Sequence, residues 1–125
     1  MTHILLAALG GAFGTALRYL VGNWTFRLFG PGYPWGTMTV NVIGSFVIGL
    51  FAELVARKLN SSPELRVLLI TGFLGGFTTF SAFSLDAFTL YERGELTLAG
   101  VYVIGSVLIS LCAVFAGLML GRAVF

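Results

Sequence analysis

Charge is what this chain has least of. Only 10% of its 125 residues are Asp, Glu, Lys or Arg, while 58% are hydrophobic and the mean hydropathy is +0.98. An ordinary soluble domain carries roughly 25% charged residues, so a water-soluble fold is excluded and nucleic acid is not an expected partner. The single cysteine, Cys112, excludes an intrachain disulfide, and within an apolar stretch it reads as a small hydrophobic packing residue. Prolines are equally scarce. All three, Pro31, Pro34 and Pro63, fall between apolar runs rather than inside them.

Those runs cover about residues 3–26, 35–57, 65–91 and 97–121, each reaching or exceeding the roughly 20 residues that cross a bilayer as a helix. Four crossings consume nearly the whole chain, so a single all-α transmembrane domain over 1–125 is expected. The remainder is a connector around Gly30-Pro31-Gly32-Tyr33-Pro34, a polar turn over Lys58 to Glu64, and the charged patch Glu92-Arg93-Gly94-Glu95. Ser62, Pro63 and Glu64 spell a helix start: a capping hydroxyl, a residue lacking an unneeded donor, and an acid at the positive end. The first run has no basic leader or persuasive cleavage signal, and is expected to stay as a mature helix.

The positive charges do little to orient the bundle. Arg57, Lys58, Arg66 and Arg122 lie on the side of the N-terminus, and Arg18, Arg27 and Arg93 towards the other. So even a division hardly polarises the chain under the positive-inside rule. Two topologies stand at this point, insertion in both directions with antiparallel pairing, or one fixed but weakly set orientation.

Small residues recur at helix spacing in Gly10 and Gly14, Gly72 and Gly76, and Gly117 and Gly121, with Ser45 and Gly49 continuing the theme. Such pairs let backbones approach closely. Two polar stripes accompany them. Thr37, Asn41 and Ser45 share one face of the second helix, and Tyr102, Ser106 and Ser110 share one face of the fourth. Successive hydroxyls and an amide offer donors to a dehydrated anion without a fixed charge to trap it. Bonds between helices, or from serines back to their own helix, would use the same groups.

The third run is the odd one. As a straight helix it would extend about 40 Å, beyond the roughly 30 Å hydrocarbon layer, and Gly72, Gly75, Gly76, Thr78 and Thr79 weaken its middle. A break near Gly75 to Thr79 would free backbone groups at membrane depth, with carbonyls suited to a cation. A tilted continuous helix with glycines for packing is the alternative. Phe80 and Phe83 follow directly, and aromatic edges carry the positive end of the ring quadrupole. Edge-on they would line an anion path; otherwise they are ordinary core or lipid-facing rings.

Three strings now combine: GGAFGTALRY at 10–19, WGTMTVNVIGSFVIG at 35–49 and GFLGGFTTFSAFSLD at 72–86. In order and spacing the chain resembles the Fluc (CrcB) fluoride channel family over essentially its whole length. The resemblance implies a dual-topology antiparallel homodimer in the bacterial inner membrane, with four helices per subunit, a broken third helix, two fluoride pores and one structural sodium ion at the dimer centre. It places Asn41, Phe80 and Phe83 in the pore, with Tyr102, Ser106, Ser110 and Thr37 as further polar positions. It assigns the sodium to backbone carbonyls of Gly75 and Thr78 from both subunits.

Fluoride is small and strongly hydrated, so its passage demands several close donors, which hydroxyls, an amide and ring edges supply. No catalytic pair is needed and no enzyme is expected. Arg18 has two roles open to it, concentrating anions in a vestibule or anchoring the first helix. The competing functions are a proton-coupled exporter of organic cations and a non-transporting membrane scaffold. The exporter normally requires an intramembrane acid, and Glu53 and Asp86 lie towards the ends of their segments.

Overall fold

Helix ends fall where the sequence punctuates its apolar runs. The computed structural model describes residues 1–125 and contains helices and connecting turns only. Helix α1 spans Thr2–Phe29 and stops at Gly30, whose φ of 77° takes the chain into a region other residues avoid, its amide donating to the Phe26 carbonyl at 2.8 Å. Helix α2, Trp35–Arg57, begins immediately after Pro34. The turn that follows uses left-handed backbone at Asn60 and Ser61.

The third span comes in pieces. Helix α3, Pro63–Arg66, starts as its sequence requires, with Pro63 in the first turn and the Ser62 hydroxyl accepting from the Leu65 amide at 3.3 Å. It runs into a widened π-helical stretch, Val67–Leu74, and then a short helix α4, Gly75–Phe77. Thr78 and Thr79 are extended, and helix α5, Phe80–Glu92, resumes the crossing. Helix α6, Leu96–Val124, completes the bundle. All four spans are long and apolar enough to cross a bilayer. The expected break is present, and within the expected range it falls at Thr78 and Thr79. Gly75 and Gly76 remain helical, and Gly76 serves close approach to α1 rather than backbone freedom.

Glycine pairs build two tight helix contacts. Against α1, a methyl on Gly14 would collide with the Phe73 carbonyl, and one on Gly76 would stand 2.6 Å from the Gly11 carbonyl. Between α2 and α6, a methyl on Gly49 would stand 2.6 Å from the Val114 carbonyl. Backbone lies on backbone at both seams, the geometry that small residues permit in lipid. Only 16 of the 125 residues are buried, so the interior of the chain is small. Leu74, Val40 and Phe77 form one small core beside the break, and Phe83, Leu90 and Tyr102 form another beyond it.

Candidate ion pathway

The second of the two extended threonines is pinned from α2. Asn41 Nδ2 donates to the Thr79 carbonyl at 2.9 Å, and the Thr79 amide donates to Asn41 Oδ1 at 2.8 Å. A broken helix must dispose of its freed amides and carbonyls inside the membrane, and a side-chain amide is the one group that matches both ends of a peptide. The reciprocal pair also fixes which way the amide points. One Nδ2 hydrogen is left without a protein acceptor, and Asn41 lines a cavity of about 350 Å³.

Each helical half is capped across the break. Arg18 Nε donates to the Gly76 carbonyl at 3.0 Å, placing a cation at the negative end of the first half. Thr78 Oγ1 turns back to the Leu74 carbonyl at 2.8 Å. The Thr79 hydroxyl accepts from the Ala82 amide at 3.1 Å as the cap of α5. No side chain donates to the carbonyls of Gly75 or Thr78, and both residues line the 350 Å³ cavity.

The aromatic and hydroxyl groups gather around that same cavity. Phe80 and Phe83 both line it, their centroids 5.6 Å apart and their planes 44° apart. They differ sharply in exposure, Phe83 at 8% and Phe80 at 77%. Ser106 and Ser110 approach from α6 and Ser45 from α2. The Ser106 hydroxyl is buried with no hydrogen-bond partner in the protein, the only buried side-chain polar atom so placed. Tyr102 stands behind this wall, fully buried, its ring 5.1 Å from Phe83 and its hydroxyl donating to Asp86 Oδ2 at 3.3 Å.

A second cavity of about 320 Å³ lies on the other side of the clamp, lined by Thr15, Arg18, Asn23 and Thr37 among others. Thr79 borders both spaces. The structure thus brings Asn41, Phe80, Phe83, Ser106, Ser110, Gly75 and Thr78 to one cavity and puts Thr37 and Arg18 in the other. Tyr102 lines neither and reaches the first only through Phe83. From sequence, Thr79 stood only for a weakened helix and Asp86 only for an acid near a segment end, neither as a partner within the site. A threonine at the end of a weakened helix is a visible capping signal, whereas the Tyr102 to Asp86 bond depends on how α5 and α6 cross.

The comparisons with known proteins bear on the same residues. A family model described as CrcB-like protein, Camphor Resistance (CrcB), matches residues 5–118. Among similar curated proteins, one from Rhizobium etli is 65% identical over 98% of both chains. One from Agrobacterium fabrum is 60% identical over the full length of both, and one from a Chelativorans species is 51% identical over 99% of both. All three are named fluoride-specific ion channel FluC. With four spans and relatives of this kind, the molecule is a multi-pass membrane protein. The matched stretch takes in both glycine seams, the clamped break and the serine face of the last helix, and the chain belongs to the CrcB-like protein family.

Proposed function

We propose that this chain is a passive fluoride-selective channel, not an enzyme, that lets cytoplasmic fluoride leave across the inner membrane. The relatives' names point to the ion, and the Ser106 hydroxyl carries the argument within the molecule. Buried at 4% exposure beside a cavity, it has no protein partner, and a buried polar group left unpaired is costly. An ion or water must complete it. Asn41's spare N–H, the hydroxyls of Ser45 and Ser110 and the positive end of α5 face the same space. Together they replace part of fluoride's water shell without a fixed charge to hold the ion. Hydrogen fluoride enters an acidified cell as the neutral acid and ionises inside, so the anion needs such an exit.

What one subunit leaves open supports assembly as an antiparallel homodimer with two pores. Phe80 is 77% exposed at the cavity mouth, and Gly75 is exposed at the break. A second copy related by a twofold axis would close both. Where two breaks meet, the unclaimed Gly75 and Thr78 carbonyls of each subunit supply oxygen donors for a structural sodium ion. No cluster of His, Cys, Asp or Glu offers an alternative metal site. Weak charge asymmetry between the two ends supports insertion both ways round.

Export of an organic cation by proton exchange lacks a free acid. Asp86 accepts from Tyr102, and Glu53 is held by Arg57 and Arg122. Efflux from liposomes containing the purified protein tests the reading, with chloride as the control. Fluoride release without chloride release is expected. Proton-driven cation exchange, or no flux of either halide, would reject it.

A further inference from the structure

Glu53, near the end of α2, lies across α6. Its Cβ occupies the space a methyl on Gly121 would need, 2.7 Å away. That slot lets the carboxylate meet two arginines at once. Arg122 Nε donates to Oε1 and Arg57 Nε to Oε2, both at 2.9 Å. Each guanidinium has five N–H donors and spends one here. The remaining donors of both meet no acceptor in the protein, and both arginines are exposed. Lys58 follows directly on α2. Two cations around one carboxylate leave a net positive, orientationally fixed pair at the level where two spanning helices end.

Below Arg122, the exposed residues Met119, Phe115, Leu111 and Leu108 recur at helical spacing on one face of α6. A forked cationic pair at the interface above a continuous apolar stripe matches one partner: an anionic phospholipid, with its phosphate on the arginines and an acyl chain along the stripe. We propose that Arg57 and Arg122, braced by Glu53, form a headgroup site for an anionic lipid. This site lies apart from the ion pathway, and its chemistry does not depend on which ion the channel carries.

Native mass spectrometry of the full chain, released from detergent with phosphatidylglycerol, phosphatidylcholine of the same chains or inorganic phosphate, tests the proposal. Retention of phosphatidylglycerol over phosphatidylcholine is expected, falling about fivefold for each arginine neutralised. Arg57→Gln leaves the Glu53 to Arg122 bond between helices intact and is the first variant to measure. The pair Arg57→Lys with Arg122→Lys should retain the charge preference with weaker retention. Equal retention of the two lipids overturns the idea, as does phosphatidylglycerol retention indifferent to Arg57→Gln. Phosphate held as well as the lipid would make this a free-anion site instead. Retention of neither lipid, with the stripe crosslinked to a second copy, would assign the face to the dimer.

Discussion

Asn41 and Thr79, 38 positions apart in sequence, bind each other as a peptide binds a peptide, the side chain donating once and accepting once. The broken span is therefore held open by a single residue of its neighbour. Thr79 borders both cavities, so the clamp forms the partition between them.

Replacing Asn41 with aspartate is expected to strike both functions of the residue. A carboxylate still accepts from the Thr79 amide, but its other oxygen then faces the Thr79 carbonyl. Losing that bond and opposing two acceptors should cost about 1–3 kcal/mol. Fluoride flux should vanish together with a fall in thermal stability. Full flux from correctly inserted Asn41→Asp protein would remove Asn41 from the pathway.

The two phenylalanines should separate by exposure. Phe83→Ile loses its ring contact with Tyr102 and should cost about 1–2 kcal/mol as well as flux. Phe80→Ile, on an exposed ring, should change subunit stability by less than about 0.5 kcal/mol yet still lower flux, since it removes an aromatic ring from the cavity lining. Melting curves paired with liposome efflux check both. Normal conduction by both folded variants would end the aromatic-edge mechanism.

Gly75 and Gly76 are adjacent but should respond differently. A methyl on Gly75 meets nothing closer than 3.8 Å within the subunit, whereas one on Gly76 would press on the Gly11 carbonyl. Gly76→Ala is expected to disrupt the seam with α1. Gly75→Ala should leave the subunit folded and, if the proposed dimer with its sodium ion forms there, weaken assembly with loss of sodium-dependent stability. A Gly75→Ala dimer as stable as the parent, with the same response to sodium, would place the twofold contact elsewhere.

Arg18 is expected to act as a cap rather than as a long-range attractor of anions. Arg18→Ala leaves the Gly76 carbonyl without its charged donor and should lower stability by about 1.5–3 kcal/mol. The dependence of residual flux on ionic strength should stay unchanged, because screening weakens steering by a charge but not a local cap. A flatter salt dependence in Arg18→Ala would restore the vestibule role.

Much of this architecture was legible because lipid makes strict demands. Four runs of spanning length gave four spans, and Ser62-Pro63-Glu64 marked a helix start that the structure keeps. The glycine pairs announced close contact and make it. Which helices they join was not legible, since spacing identifies a flat face but not its partner. The break was legible to within Gly75 to Thr79, but which of those residues leave the helix was not. Glycine weakens a helix in isolation, but here both glycines stay helical, Gly76 packed on α1, and the extended backbone falls on two threonines whose own hydroxyls can cap. The polar stripes were visible, but whether a given hydroxyl stays unclaimed depends on neighbours, as Ser106 and Tyr102 show from the same helix face.

The π-helical stretch Val67–Leu74 gives the third span a reading frame of its own. A π-turn accommodates one more residue than an α-turn, and each residue rotates a helix by about 100°. Deleting one residue there would let the widened turns close to α geometry with little rotation of what lies beyond, so that Gly76 would still meet Gly11 and Thr79 would stay at Asn41, whereas the same deletion in a plain α-helix would turn everything after it by about 100°. Point substitutions among Val67, Leu68 and Leu69 alter only side chains. A loss of one residue among them would be absorbed where the helix is widened and would not reach the break.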